Sequence, residues 1–306
     1  MKVSAFNPDK AIPRLDGKVI LITGGNVGIG KETAIQLSKH SPSEVWVASR
    51  SRERTQPALD EIQAAASFGV SVRFLQLDLT SFDSIKAAAR TFLASASRLD
   101  TLICNAGVLG GPPGMTKDGY ELRFGTNHIG HALLVKLLTP LLLKTAGVTS
   151  ARDVRVVMVA SEGHKWVPKE GIHIEKMKTD GAGLSAPDLY CESKLANVLY
   201  GQELARRFPQ FTSVPIDPGN VKTGLFTSNG GGLLIRVLNL GVHLIGVSVQ
   251  DGAKNHLWAA TSNDVVSGEY YVPVGEAGKG GPFSKDDALR KKLWEWTEKE
   301  LEGHSI

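Results

Sequence analysis

Tyr190 and Lys194, in the run Tyr190-Cys191-Glu192-Ser193-Lys194, are the residues whose types and spacing most directly suggest chemistry. On a helix, positions four apart project from one face, so a phenol and an ammonium would lie side by side. A tyrosine has an ordinary pKa near 10, and each unit by which positive charge lowers it takes about 1.4 kcal/mol. A phenol held in that way can give and take a proton near neutral pH. The spacing alone also suits a pair on a solvated surface, so the surroundings must decide. Cys191, next to the phenol, reads as a small packed side chain facing elsewhere.

A second signal lies far upstream, in Thr23-Gly24-Gly25-Asn26-Val27-Gly28-Ile29-Gly30. It follows a short apolar run and opens a stretch of helical period, the context a dinucleotide site requires. Glycines let the backbone turn tightly against a pyrophosphate, whose charge is favoured by the free N–H groups and dipole of a helix N-terminus. The plain alternative is a tight strand-to-helix connection. Where NAD sites place an acidic residue at the end of the second strand, this chain has Ser49-Arg50-Ser51-Arg52. A carboxylate there would repel a 2′-phosphate. Arg50 can take it in a charge-assisted pair, with a hydroxyl from Ser49 or Ser51, so NADP(H) is the expected cofactor. Arg52 reads as a solvated charge.

These residues need a frame. Short apolar runs at 18–23, 44–49, 70–77, 101–104, 154–160, 212–217 and 269–274 read as strands, and 28–40, 53–67, 81–96, 127–144, 187–208 and 250–261 read as helices. Their alternation predicts an α/β fold, a Rossmann-type doubly wound parallel sheet of about seven strands with helices on both faces. Gly230 to Gly232 reads as a hinge within a long loop.

Composition excludes several other classes. With 306 residues, 42% apolar and 22% charged, the chain suits one globular domain over 1–306. Its 35 basic and 31 acidic residues are dispersed and leave a net charge of +4, which does not call for nucleic acid. Two cysteines 87 positions apart, Cys104 and Cys191, give neither a disulfide framework nor a zinc site, and no metal is expected. No secretory signal opens the chain, which points to a reducing, cytoplasmic setting. The nearest approach to a membrane span, 233–249, is broken by Arg236, Asn239 and His243, so no transmembrane segment is expected.

Taken together, Thr23 to Gly30, Asp78-Leu79, Asn105-Ala106-Gly107, Asn127, Ser161, Tyr190 with Lys194, and Pro218-Gly219 with Val221 and Thr223 resemble the short-chain dehydrogenase/reductase family in its single-domain branch. The likeness covers roughly 18–274, with the motifs in the family's order. Asn127-His128-Ile129-Gly130-His131 and Ser193-Lys194-Leu195-Ala196-Asn197-Val198-Leu199 are similar to the subgroup that contains retinol dehydrogenases. That subgroup favours NADP(H) and often acts on apolar alcohols and carbonyls.

The resemblance implies hydride transfer between nicotinamide and a carbonyl or alcohol carbon, with Asn127, Ser161, Tyr190 and Lys194 as the catalytic set. Ser161 would donate to the substrate oxygen and Tyr190 would move the proton. Lys194 would lower the phenol pKa and hold the nicotinamide ribose, and Asn127 would position a water connecting Lys194 to solvent. The cofactor would also meet Gly24, Asn26, Gly28, Ile29 and Gly30, with Asp78 and Leu79 at adenine and Asn105, Ala106 and Gly107 beneath its ribose. Pro218, Gly219, Val221 and Thr223 would cover the nicotinamide amide. Read without the family, Ser161 is a hydroxyl capping a strand end and Asn127 a helix N-cap. Relatives also dimerise or tetramerise through the helices holding Asn127 and Tyr190, so a homodimer or homotetramer is open.

Two departures stand out: 29 positions separate Ser161 from Tyr190, and Asp217 precedes Pro218. The substrate is expected beneath the segments that follow the strands, 108–118, 162–187 and 225–249, whose Gly, Leu, Val, Ile and Trp166 favour an apolar small molecule. Packing of 233–249 against the core or a second subunit is the alternative. His131 and His164 are expected to be satisfied polar positions without a catalytic role. Two rival functions are a silent NADP(H)-binding sensor and a sugar-nucleotide epimerase. The intact set Asn127, Ser161, Tyr190 and Lys194 argues against the first, and the glycine spacing against the second.

Overall fold

The computed structural model describes residues 6–149, 153–181, 183–221 and 246–306. Eight strands form one sheet in the order β3-β2-β1-β4-β5-β6-β7-β8. They are β1 (Val19–Thr23), β2 (Glu44–Ser49), β3 (Ser71–Gln76), β4 (Thr101–Cys104), β5 (Arg155–Val159), β6 (Thr212–Ile216), β7 (Tyr271–Val272) and β8 (Glu276–Ala277). All neighbours are parallel except β7 with β8. The helices are α1 (Pro8–Ala11), α2 (Gly28–Ser38), α3 (Arg52–Ala65), α4 (Phe82–Ser95), α5 (Leu122–Phe124), α6 (Gly130–Ala146), α7 (Ala186–Arg207), α8 (Val249–Thr261) and α9 (Asp287–Glu300).

A strand presents alternate side chains to opposite faces, and a parallel sheet buries both. Accordingly Val19 and Leu21 of β1 join one core with Trp46, Leu102, Val156 and residues of α4, α6, α7 and α9. Ile20 and Ile22 join the other with Val45, Val47, Ile103, Val157 and residues of α2, α3 and α8. This is why β1, β4 and β5 carry a single polar residue each, Thr23, Thr101 and Arg155. The chain reverses its direction of growth between β1 and β4, and in such sheets ligands bind in the crevice beyond the strand ends at that point.

Three expectations change. The strand read at 269–274 shrinks to β7, because Pro273 has no N–H for a ladder and Gly275 turns the chain back into β8, raising the count to eight. The helix read from 127 begins earlier: Glu121 caps α5, accepting from Arg123 and Phe124 N–H groups at 2.8 and 2.7 Å. A π turn, Gly125–Ile129, then leads into α6, so Asn127 lies inside a continuous helical stretch and is not its N-cap. Finally, α9 was not expected from its charged sequence. Its Leu289, Leu293 and Trp296 do follow helical spacing, and Trp294 stacks on Tyr200 at 5.1 Å.

One helical run among the described residues, Leu122–Ala146, is long and apolar enough to cross a membrane, but 67% of its most apolar window is buried in this fold. It serves here as a core element.

Candidate active site

The turn after β1 is built for close approach. Gly24 has φ +65°, a left-handed conformation that favours glycine. A Cβ on Gly30 would lie 2.5 Å from both Asn105 Nδ2 and the Gly24 carbonyl oxygen. Helix α2 then begins at Gly28 with extended, exposed Val27 at its N-cap, no side-chain cap and no acidic residue in its first turn. Its first N–H groups therefore face outward without a protein acceptor from the cap. Gly24, Asn26, Gly28, Ile29 and Gly30 lie together around that opening.

The neighbouring β4 turn is locked to β1. Thr23 Oγ1 accepts from Asn105 N at 2.9 Å and Ala106 N at 3.0 Å, and Asn105 Nδ2 donates to Thr23 O at 2.9 Å. His131 extends this lock: Nε2 lies 2.8 Å from Thr23 Oγ1 and Nδ1 3.0 Å from Asn127 O. Burial holds the His131 ring near pKa 4, so it is neutral at physiological pH. His164 is likewise satisfied, by Ser161 O at 2.7 Å and Gly281 N at 3.0 Å. Both histidines are the satisfied polar positions expected.

At the ends of β2 and β3, Arg50 is exposed and faces Asp78. Burial raises the Asp78 carboxyl, but bonds from Thr80 and the charges of Lys117 and Arg50 outweigh it and bring the pKa below the usual range. Ser49 and Ser51 do not join Arg50: Ser49 Oγ is buried against Thr55 Oγ1, and Ser51 caps α3. Arg52 stacks over Phe74 at 5.5 Å. Leu79 is buried, its carbonyl packed where a Cβ on Gly130 would stand.

The four catalytic candidates converge beside this opening. Ser161 follows β5 and caps a one-turn helix, Glu162–Lys165, its Oγ accepting from Gly163 N at 3.2 Å. Tyr190 and Lys194 lie on one face of α7, with Nζ 5.6 Å from the phenol centroid, and Tyr190 hydrogen-bonds to Ser161. Lys194 Nζ donates to Val159 O at 3.0 Å. Asn127 is fully buried; its Oδ1 accepts from Val108 N at 2.8 Å, and its Nδ2 donates to Val108 O and Ser193 Oγ, both at 2.9 Å. Ser193 Oγ donates to Tyr190 O at 2.7 Å, so Asn127 and Tyr190 are one step apart. A Cβ on Gly107 would meet Asn127 Oδ1 at 3.2 Å and Lys194 Nζ at 3.5 Å, so a larger residue would crowd the group.

The electrostatics differ from the sequence-based expectation. Burial pushes the Tyr190 hydroxyl well above its ordinary range, and the first influence opposing it is the Ser161 hydrogen bond, not the Lys194 charge. Burial also brings Lys194 down to about 8, with Asp217 opposing. Burial is the largest influence on both groups.

Beyond β6, Gly219 has φ +81° and Val221 bridges to Val247. Thr223, the 230–232 hinge and the 225–245 part of the covering segment lie outside the described residues. The 162–187 covering segment behaves differently from a roof: Ile172, Ile174 and Met177 sink into the core, and buried Glu192 holds His173 through N at 2.9 Å and Nδ1 at 2.8 Å. Trp166, 65% exposed, and Met115, 45% exposed, remain outside. Sequence reasoning gave no role to Thr23, Glu192 or His256, whose Nε2 lies 3.2 Å from Asn105 Oδ1, because each acts through a distant partner.

The family model described as short chain dehydrogenase matches residues 18–168. A short-chain dehydrogenase/reductase of Armillaria gallica is 36% identical over 292 residues, covering 94% of this chain and 91% of that protein. Retinol dehydrogenase 11 of Homo sapiens is 33% identical over 286 residues, covering 92% and 85%. Among solved structures, an uncharacterised protein of Mycobacterium paratuberculosis superposes with a TM-score of 0.74 at 25% identity, covering 96% of this chain and 97% of that one. The chain belongs to the short-chain dehydrogenase/reductase family, on the side related to retinol dehydrogenases.

Proposed function

We propose that this protein transfers hydride between NADP(H) and the carbonyl or alcohol carbon of an apolar small molecule. The observation that carries the reading is the convergence of Ser161, Tyr190, Lys194 and Asn127 beside an uncapped helix start. The opening fits a dinucleotide because the Gly24 and Gly30 backbones pack with no room for side chains and the first N–H groups of α2 face outward. Gly24, Asn26, Gly28, Ile29 and Gly30 would hold the pyrophosphate and Arg50 the 2′-phosphate. Asp78, Leu79, Asn105, Ala106 and Gly107 would hold the adenosine, and Tyr190, Lys194, Pro218, Gly219, Val221 and Thr223 the nicotinamide half. Bound there, the dinucleotide supplies the carbon that gives or accepts hydride.

The chain's own residues do the rest. Ser161 Oγ donates a hydrogen bond to the substrate oxygen as it gains negative charge, and Tyr190 delivers its proton to that oxygen. The Ser161 hydrogen bond opposes the rise that burial imposes on the Tyr190 phenol, and so favours release of its proton. Lys194 orients the ribose, and Asn127, its side chain occupied by Val108 and Ser193, acts by fixing the Tyr190 turn. The exposed Trp166, Met115 and Val247 around the strand ends favour an apolar substrate. Two free buried cysteines suit a reducing, cytoplasmic setting.

Nicotinamide absorbance with a panel of apolar aldehydes and ketones tests the reading. Wild-type protein consumes NADPH, and Tyr190→Phe lowers kcat on the order of 10³-fold while NADPH still binds. Tight NADPH binding with no turnover of any carbonyl would instead favour the sensor.

A further inference from the structure

Asp217 is a carboxylate 5% exposed, at the end of β6 next to the site, and the reaction just described leaves it without a part. An ionised carboxylate is costly to bury unless donors meet it. Two backbone donors do, from two different loops: Gly219 N donates to Oδ1 at 3.0 Å, and the Glu162 N–H faces the same carboxylate. The residue's own backbone is pinned as well. Its N donates to Tyr271 O at 2.9 Å, and its carbonyl accepts from Asn255 Nδ2 at 2.7 Å.

These contacts join the segments on which the chemistry depends. Glu162 follows Ser161 directly, and Gly219 belongs to the turn after Pro218. The strands beneath are already zipped, Ala160 N donating to Ile216 O at 2.7 Å, so the carboxylate extends that pairing past the strand ends. We propose that Asp217 is a positioning residue: its carboxylate ties the backbone after Ser161 to the Pro218–Gly219 turn, fixing the Ser161 hydroxyl and the nicotinamide side of the site relative to Tyr190. This rests on the hydride-transfer reading for its kinetic consequence, though not for its geometry.

The clamp is strongest while the group is ionised. Burial raises Asp217 to about 6, with the Glu162 charge adding to the rise and the two backbone donors and Lys165 opposing it. The charged and titratable groups facing it among the described residues are Glu162 and Lys165 from the turn after β5, Tyr190 and Lys194 from α7, and Tyr270 before β7. Glu162 and Lys165 pair with each other at 3.3 Å. As pH falls through about 6, Asp217 takes up a proton, loses acceptor strength and releases the two loops.

Two measurements on the full chain test this. Amide hydrogen exchange needs no turnover: protection over 160–166 and 217–221 is expected to drop in Asp217→Asn at pH 8, and in wild type between pH 7 and pH 5 after correction for intrinsic rates. In kinetics with saturating NADPH, wild type shows an acid limb with a midpoint near 6 that Asp217→Asn lacks. The variant's kcat falls on the order of 10-fold with KM changed less than about 3-fold, since misplaced groups lower the rate more than binding. Should Asp217→Asn fold poorly, Glu162→Pro removes the other donor at the first position of a helical turn, where proline is tolerated. It should reproduce the kcat loss, while Glu162→Gln, which keeps the N–H, should not. Unchanged exchange protection, or a wild-type pH profile in Asp217→Asn, overturns the clamp. Absence of Tyr190-dependent turnover with the exchange pattern as expected would instead overturn the hydride-transfer reading and leave the clamp standing.

Discussion

Helices α2 and α7 both open onto the site, yet they begin in opposite ways. At α7, Ser185 Oγ accepts from Asp188 N at 3.3 Å and Asp188 Oδ2 accepts from Ser185 N at 3.3 Å, a reciprocal capping box with an acidic residue in the first turn. Helices α3, α4, α8 and α9 are closed in similar fashion by Ser51, Ser81, Ser248 and Asp286, each with a carboxylate in its first turn. At α2 the N-cap is Val27, and the first turn holds Gly28, Ile29, Gly30 and Lys31. A helix whose start only serves the fold satisfies its own donors; a helix that forgoes about 1 kcal/mol of capping leaves them for a ligand. The helix α7 contributes side chains from a rigid body, and α2 contributes its bare end.

Breaking the bare end should therefore affect binding before chemistry, the reverse of Tyr190→Phe. The largest effect is expected from Gly30→Ala. Its methyl would stand 2.5 Å from the Gly24 carbonyl oxygen and Asn105 Nδ2, and the first of these is backbone that cannot swing aside. Overpacking of this kind costs about 1–3 kcal/mol, and moving the β4 turn disturbs the cradle itself. NADPH affinity should fall on the order of 100-fold by fluorescence titration, with kcat at saturation reduced far less. A larger loss in kcat than in affinity would mean the loop positions the reacting groups as well.

Arg50→Asp comes next and divides the two nicotinamide cofactors. A charge-assisted bond to a phosphate contributes about 1.5–3 kcal/mol, so NADPH should weaken by about 10- to 100-fold and NADH by only a few-fold. Because Ser49 and Ser51 hydroxyls are occupied at Thr55 and the α3 cap, replacing either should matter much less than replacing Arg50. Equal losses for both cofactors would remove the argument for the 2′-phosphate.

What was legible in the sequence follows the same division. The glycine turn, Arg50 and the Tyr190–Lys194 pair are local patterns: period, spacing and residue type fix them before any tertiary contact forms. The Asp217–Glu162, His131–Thr23 and Glu192–His173 contacts are not, because their partners are brought near by the sheet order or by a returning loop. The upward shift of the Tyr190 pKa belongs to this second class, since it depends on how much water the fold excludes. Helix α9 fell between the two, with apolar spacing present in Leu289, Leu293 and Trp296 but hidden among charges.

The finest test of the contrast is to close α2 as the other helices are closed. Val27 already has φ −147° and ψ 161°, the extended backbone of a capping residue, and its side chain is 65% exposed. Val27→Ser thus places a hydroxyl within reach of the N2 or N3 N–H without backbone strain. If those donors are free for a ligand, the serine should raise the stability of the protein without cofactor by about 0.5–1 kcal/mol in chemical denaturation. The same hydroxyl competes with phosphate for the same N–H, so NADPH affinity should drop by about 2- to 5-fold, a loss of roughly the size of the capping gain. The two effects must appear together, because a single set of donors produces both. A gain in stability with unchanged affinity would show that the ligand does not use the start of α2, and the difference between α2 and α7 would then be one of packing alone.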